Sequence, residues 1–182
     1  RTPSNYYLDN LRPISINFGM ANELHRPGYQ ALRKGRISLP FTRYFLTFAL
    51  EDRRTGLATD EMFAFVESAL ERIPGHTFAL VVMPDHLHWL VRLGEAGDLP
   101  DLVRAFKGPL SVRLRTRGLR WQKGAYHDRR LRADDELSPF LRYMLCNPYR
   151  AGLCGCDSLW PFWYRSPEVG EWFDRTTRDG RP

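Results

Sequence analysis

Two short stretches of this 182-residue chain carry residue types whose spacing can do chemistry. The first is Met83-Pro84-Asp85-His86-Leu87-His88-Trp89. On a strand, residues i and i+2 point to the same face, so His86 and His88 present two imidazoles side by side, with Leu87 and Trp89 turned away. Imidazole is a common ligand of transition metals, so the pair can serve one cation. The alternative is two histidines that only hydrogen-bond in place. Two imidazoles do not fill a coordination sphere, so a third protein ligand would have to come from elsewhere. The second stretch is Tyr143-Met144-Leu145-Cys146-Asn147-Pro148-Tyr149-Arg150-Ala151-Gly152. On a helix, Tyr143 and Asn147 are one turn apart and share a face. A tyrosine hydroxyl can attack a phosphodiester and keep the product as a phosphotyrosine, which conserves the bond for rejoining. Its ordinary pKa of about 10 makes it a weak nucleophile at neutral pH, so it needs a base or a nearby cation. Asn147 offers an amide oxygen that could complete a metal site. The plain alternative for Tyr143 is a core position on an amphipathic helix.

Charge points to the kind of partner. The formal net charge is +6, yet residues 101–132 alone hold ten Lys and Arg against Asp101 and Asp128. One segment thus more than accounts for the whole excess, and a polyanion is its natural partner. A solvated helix face laced with salt bridges is the competing reading, but that segment has few acidic residues to supply the pairs.

The elements that must position these residues can be read in order. Residues 1–37 form an irregular arm, interrupted by Pro3, Pro13, Pro27, Gly19, Gly28 and Gly35. Residues 41–50, rich in aromatic and apolar side chains, read as a buried strand. A turn at Asp52-Arg53-Arg54-Thr55-Gly56 follows. Thr59 or Asp60 then caps a helix in which Met62, Phe63, Val66, Ala69, Leu70 and Ile73 recur at helical steps up to Pro74-Gly75. Residues 77–83 and 87–93 are two apolar runs joined by Pro84-Asp85, which is the chemistry of a hairpin turn. Residues 99–117 form a basic amphipathic helix that Gly108-Pro109 should break or kink. Residues 120–131 are extended. Asp134 opens a last helix that Asn147-Pro148 should close, because the residue before proline resists the α region. The remainder, with Trp160, Phe162, Trp163, Tyr164 and Trp172, packs back on the core through aromatic anchors. The order strand, helix, hairpin, helix, strand, helix is an α+β pattern with an antiparallel sheet and helices on one face.

The motifs, taken together, resemble the REP-associated tyrosine transposases, a branch of the HUH single-tyrosine transposases. The resemblance rests on Met83-Pro84-Asp85-His86-Leu87-His88, on Tyr143 to Gly152, and on Trp121-Gln122-Lys123-Gly124 followed by Tyr126-His127-Asp128. The three blocks stand in family order and span roughly residues 38–166, leaving an N-terminal arm over 1–37 and a C-terminal tail over 167–182. It implies a ferredoxin-like antiparallel sheet with flanking helices, the HUH endonuclease fold. It implies Tyr143 as catalytic nucleophile, with His86 and His88 as metal ligands and Asn147 as the residue that completes the site. The implied reaction is cleavage and rejoining of single-stranded DNA near a palindromic, REP-like hairpin, through a 5′-phosphotyrosine and a free 3′-OH. A divalent ion, Mg²⁺ or Mn²⁺, would be the cofactor.

In that reading the basic segment is the DNA-binding surface. Arg104, Lys107, Arg113, Arg115 and Arg117 come from the helix, and Arg120, Lys123, Arg129 and Arg130 from the extended stretch; Trp121 and Tyr126 can stack on exposed bases. The role of His127 stays open between a structural contact, a substrate contact and a proton shuttle. A hairpin-binding protein that keeps the fold without catalysis is the alternative, and a histidine–metal hydrolase using water instead of Tyr143 is a third. The four residues His86, His88, Tyr143 and Asn147, all present, favour the enzyme. Composition agrees with a single globular domain: 43% hydrophobic and 26% charged residues are ordinary. No apolar run reaches the roughly 20 residues of a membrane helix, and the N-terminus has no apolar signal core, so a cytoplasmic, non-membrane protein is expected. Three cysteines with no framework of spacings argue against a disulfide scaffold, and Cys154-Gly155-Cys156 has no second pair to make a zinc site. Monomer and homodimer are both open.

Overall fold

The computed structural model describes residues 38–123, 126–155 and 157–176. The arm expected over residues 1–37 lies outside the described residues. So does Cys156.

Strand β1 (Arg43–Ala49) is buried on both sides, and its alternation divides the core in two. Tyr44, Leu46 and Phe48 point to one face of the sheet, where they join Met62, Val66, Phe106 and Leu110. Phe45 and Thr47 point to the other. Strands β2 (Gly75–Val82) and β3 (His86–Leu93) form the expected hairpin about Pro84-Asp85, and β3 then pairs with β1. Strand β4 (His127–Leu131) takes the free edge of β1, and β5 (Trp163–Arg165) takes the free edge of β2. All pairings are antiparallel, in the order β4-β1-β3-β2-β5. The first four strands and two helices give the ferredoxin-like arrangement, with β5 as an addition.

Helix α1 (Asp60–Leu70) starts at Thr59, whose side chain accepts a hydrogen bond from Met62 N, and has Asp60 and Glu61 in its first turn. Helix α2 (Leu99–Thr116) runs through Pro109 without ending there. An internal proline costs about 3 kcal/mol. Burial of Phe106, Leu110 and Leu114 on the sheet, at about 1.5–3 kcal/mol each, more than offsets it.

Helix α3 (Ser138–Arg150) departs from the sequence reading at both ends. It does not open at Asp134. The carbonyls of Ala133 and Asp135 accept hydrogen bonds from the Arg43 guanidinium at 2.8 and 3.0 Å, and Arg132 N donates to the Asp135 carboxylate, so the segment is held as a turn. Nor does α3 close at Asn147-Pro148. Asn147 stays helical despite the proline after it, and the carbonyls of Asn147 and Pro148 accept from Ala151 N and Leu153 N, both at 3.0 Å. The sheet is also covered on both faces, not one. Helices α1 and α2 lie over Leu46, Phe48 and Trp89, whereas α3 lies over Phe45 and His88, with Phe140 and Tyr143 against those rings. Because its chain enters from β4 at one edge and leaves toward β5 at the other, α3 must cross the sheet.

The aromatic anchors of the last segment do hold it. Trp160 Nε1 donates to Val82 O at 2.9 Å, and Phe162 meets Phe63 edge-on. Helix α4 (Pro167–Thr176) buries Val169 and Phe173, the latter against Trp163. Among the described residues no helix is long and apolar enough to cross a membrane.

Candidate active site

The two histidines begin β3, at the end of the hairpin turn, and both face α3. Their ring centroids are 4.8 Å apart. Each ring is oriented by a different neighbour through Nδ1: His86 by Asp85 Oδ1 at 2.6 Å, His88 by Thr47 Oγ1 at 2.8 Å. Thr47 is in place because it stands directly opposite His88 in the β1–β3 register. Tying down Nδ1 leaves Nε2 of each ring as the outward nitrogen, the usual arrangement of a metal-ligating histidine and its supporting partner. His88 is fully buried, and its Nε2 has no hydrogen-bond partner. Such an orphan is costly unless something fills its place.

Electrostatics keep that nitrogen available. Burial, and after it the charges of His86 and Arg53, hold the His88 pKa well below the ordinary histidine value. The ring is therefore neutral at pH 7, as a ligand must be. For Asp85, burial pushes the pKa up, but the hydrogen bond and charge of His86 and the charge of Arg53 outweigh it and leave it lowered. Asp85 is a carboxylate shared between His86 and Arg53, whose Nε lies 2.7 Å from Oδ2.

Helix α3 brings Tyr143 onto the same spot. Its ring stands edge-on to His88 at 5.2 Å and to Phe45 at 6.0 Å. Burial raises the tyrosine pKa above its ordinary value, while a hydrogen bond with the Asn147 side chain and the charges of Arg150 and Arg53 pull it back. Asn147 shares the helix face and has a buried Nδ2 with no partner. Four residues read from two distant motifs thus converge. Histidine nitrogens and an amide oxygen suit a divalent ion in donor type, and His88 Nε2 is an unpartnered ligand atom here, whereas the unpartnered atom of Asn147 is its amide nitrogen, a donor.

The basic residues do not all converge with them. Arg104, Lys107, Arg113 and Arg115 lie on α2 and Arg117 caps its C-terminus, on the side of the sheet away from Tyr143. Arg113 and Arg117 are both ion-paired to Glu61 of α1, an acid that a count within residues 101–132 leaves out. Arg104 pairs with Asp101. Lys107 lies over the rings of Phe48 and Trp121, and Trp121 and Tyr126 both pack against Phe48. Arg120 and Lys123 are exposed in the connection to β4. On β4, Arg129 stands opposite Phe45 and so on the tyrosine face, over the Phe140 ring at 5.0 Å, whereas Arg130 stands opposite Tyr44 on the other. His127, opposite Thr47, also belongs to the tyrosine face. The sequence reading missed Thr47, Arg53 and Arg150. Arg150 lies inside the quoted tyrosine motif; for Thr47 and Arg53 the chain gives no local signal.

Known proteins resemble the chain in sequence and in fold. A protein of Haemophilus influenzae, provisionally named a REP-associated tyrosine transposase, is 28% identical over 138 residues, covering 65% of this chain and 77% of that one. The chain is a homologue of the REP-associated tyrosine transposases. A solved structure of a REP-associated tyrosine transposase bound to a REP hairpin superposes with a TM-score of 0.60 at 22% identity, over 81% of this chain and 86% of that one. It establishes the shared fold. A transposase of Deinococcus radiodurans, also provisionally named, aligns at 25% identity with a TM-score of 0.43 over 63% of this chain and 96% of that one. No family model matches the chain.

Proposed function

We propose that this chain is a metal-dependent transposase that nicks and rejoins single-stranded DNA near a palindromic hairpin, with Tyr143 as the nucleophile. One observation carries the reading: the Tyr143 ring packs on His88, whose buried Nε2 lacks any partner, with His86 and Asn147 beside it. In the reaction, the Tyr143 oxygen bonds to the scissile phosphorus as its proton leaves, and the bond from phosphorus to the 3′-oxygen breaks. The released 3′-oxygen takes up a proton, and the 5′-phosphate stays on the tyrosine. Attack by a 3′-hydroxyl on that phosphotyrosine reverses the step and frees Tyr143. His86, His88 and Asn147 would hold Mg²⁺ or Mn²⁺. When bound, that ion supplies charge stabilisation at the phosphate oxygens. Asp85 and Thr47 keep the two imidazoles turned toward the site. Phe45 and Phe140 line the tyrosine's apolar side and help to keep water from it. Hairpin DNA is proposed as substrate because the homologous transposase was solved with a REP hairpin.

The test is a covalent adduct on a denaturing gel after incubation with single-stranded hairpin DNA and Mn²⁺. Tyr143→Phe should abolish the adduct and leave DNA binding within about twofold, since only the attacking atom is removed. Chelator should silence the unaltered chain until Mn²⁺ or Mg²⁺ returns. An adduct that persists in Tyr143→Phe assigns the nucleophile elsewhere. Binding without any adduct points to a hairpin-binding protein that keeps the fold.

A further inference from the structure

The turn after β1 is strained and has no task in the reaction above beyond its touch on Asp85. Asp52 and Arg53 are consecutive non-glycine residues in left-handed backbone, with φ of 54° and 53°. Residues persist there only when their surroundings over-determine them. Here Glu51 N donates to Arg120 O at 2.9 Å, Leu50 N donates to Asp85 O at 2.8 Å, and Arg53 Nε meets Asp85 Oδ2 at 2.7 Å. The result aims a long cation at the end of β3. Contacts run from Arg53 to Asp85, to His86, to His88 and to Tyr143 without a gap.

Arg53 uses little of what it brings. A guanidinium has five N–H donors. Only Nε is engaged among the described residues, and the side chain is 58% exposed. Orienting His86 requires Asp85 alone, so an exposed arginine held by a strained turn exceeds that need. A second cation stands on α3. Arg150 lies two helical turns after Tyr143 and one turn after Asn147, hence on the same side of the helix. It is exposed and has no ion pair among the described residues. The charges of both arginines act on the Tyr143 hydroxyl.

We propose that Arg53 and Arg150 form a phosphodiester clamp at Tyr143, each donating to non-bridging oxygens of the DNA linkage that the tyrosine attacks. This rests on the nicking reading and deepens it, naming the side chains that seat the reacting phosphate. The fork of a guanidinium matches two phosphate oxygens at once, which a lysine cannot reproduce.

The experiment uses the full chain carrying Tyr143→Phe, so that no DNA is cut. Fluorescence anisotropy reads its affinity for a single-stranded hairpin oligonucleotide and for a series of that oligonucleotide, each with one linkage made neutral as a methylphosphonate. Adding Arg53→Ala or Arg150→Ala should weaken binding to the unmodified DNA roughly tenfold, as expected for losing a hydrogen bond to a charged group. At one linkage the neutral substitution should erase that difference to within about twofold. Arg53→Lys should fall between. A merely structural arginine would lower affinity for every oligonucleotide by one common factor, and that outcome, or no loss at all, overturns the clamp. Melting temperatures are read in parallel. Should Arg53→Ala not fold, Arg150→Ala carries the same comparison from an exposed helix position. The scan needs no cleavage, so the two ideas separate. A privileged linkage with no adduct from the unaltered chain keeps the clamp and sinks the nuclease, whereas an adduct with no privileged linkage does the reverse.

Discussion

At the scale of single residues, His88 carries the sharpest conflict between stability and use. It is buried and neutral, with one nitrogen spent on Thr47 and the other unpaired. In the unfolded chain its pKa is about 6.5. Folded, it lies well below that. Between those values the unfolded chain binds the extra proton, so the stability tied to a neutral His88 is complete above about pH 6.5 and falls as pH drops through the window. In chelator, the melting temperature should therefore decline between pH 7 and 5. The decline should flatten in His88→Gln, whose amide does not titrate. An equal slope in both proteins would place the acid sensitivity at another group. That the histidines share a face was legible in the sequence, because a strand's period of two leaves no other arrangement. Thr47 and Arg53 were not legible. One owes its place to inter-strand register and the other to a left-handed turn, and neither leaves a mark on the residues nearby.

Among the elements, the helices were readable where side-chain chemistry acts locally. Thr59 stands where a cap was expected, and its oxygen takes Met62 N. Thr59→Ala should cost about 1 kcal/mol in urea unfolding, with Arg117 also losing a contact to that hydroxyl. A change under a few tenths would show that the start of α1 is fixed by packing instead. Proline misled the reading at Pro148, where the helix was to close, and at Pro109 α2 continues unbroken. Local rules count the missing donor and the restriction on the residue before proline, while the fold weighs those losses against a row of side chains buried on the sheet. The start of α3 failed for the opposite reason. Arg43, some ninety residues away in sequence, takes the carbonyls that a helix from Asp134 would need. Strand β5, only three residues long, is defined by its pairing with β2 and has no period of its own to read.

At the scale of the whole molecule, the sheet separates two groups of arginines that the sequence runs together. Arg129 stands on the tyrosine face; Arg113 and Arg117 stand on the other and are held by Glu61. Arg129→Glu should weaken single-stranded DNA binding across sequences and flatten its salt dependence by about one unit of slope. Arg113→Glu should lower the melting temperature, by breaking with Glu61, and leave binding nearly unchanged. Reversed effects would move the DNA to the α1–α2 side. The crossing of the sheet by α3 also works as a gauge of length. Thirteen residues at 1.5 Å per residue make about 20 Å of helix. Five strands spaced about 4.8 Å apart span about 19 Å. Tyr143 is thus located by a beam whose span matches the width it bridges, with Phe140 seated on β1 and Tyr143 on β3. One alanine inserted between Phe140 and Tyr143 would turn the hydroxyl by about 100° and lift it off the histidines, and adduct formation should vanish. The same alanine inserted after Gly152, beyond the end of the beam, should leave the adduct intact.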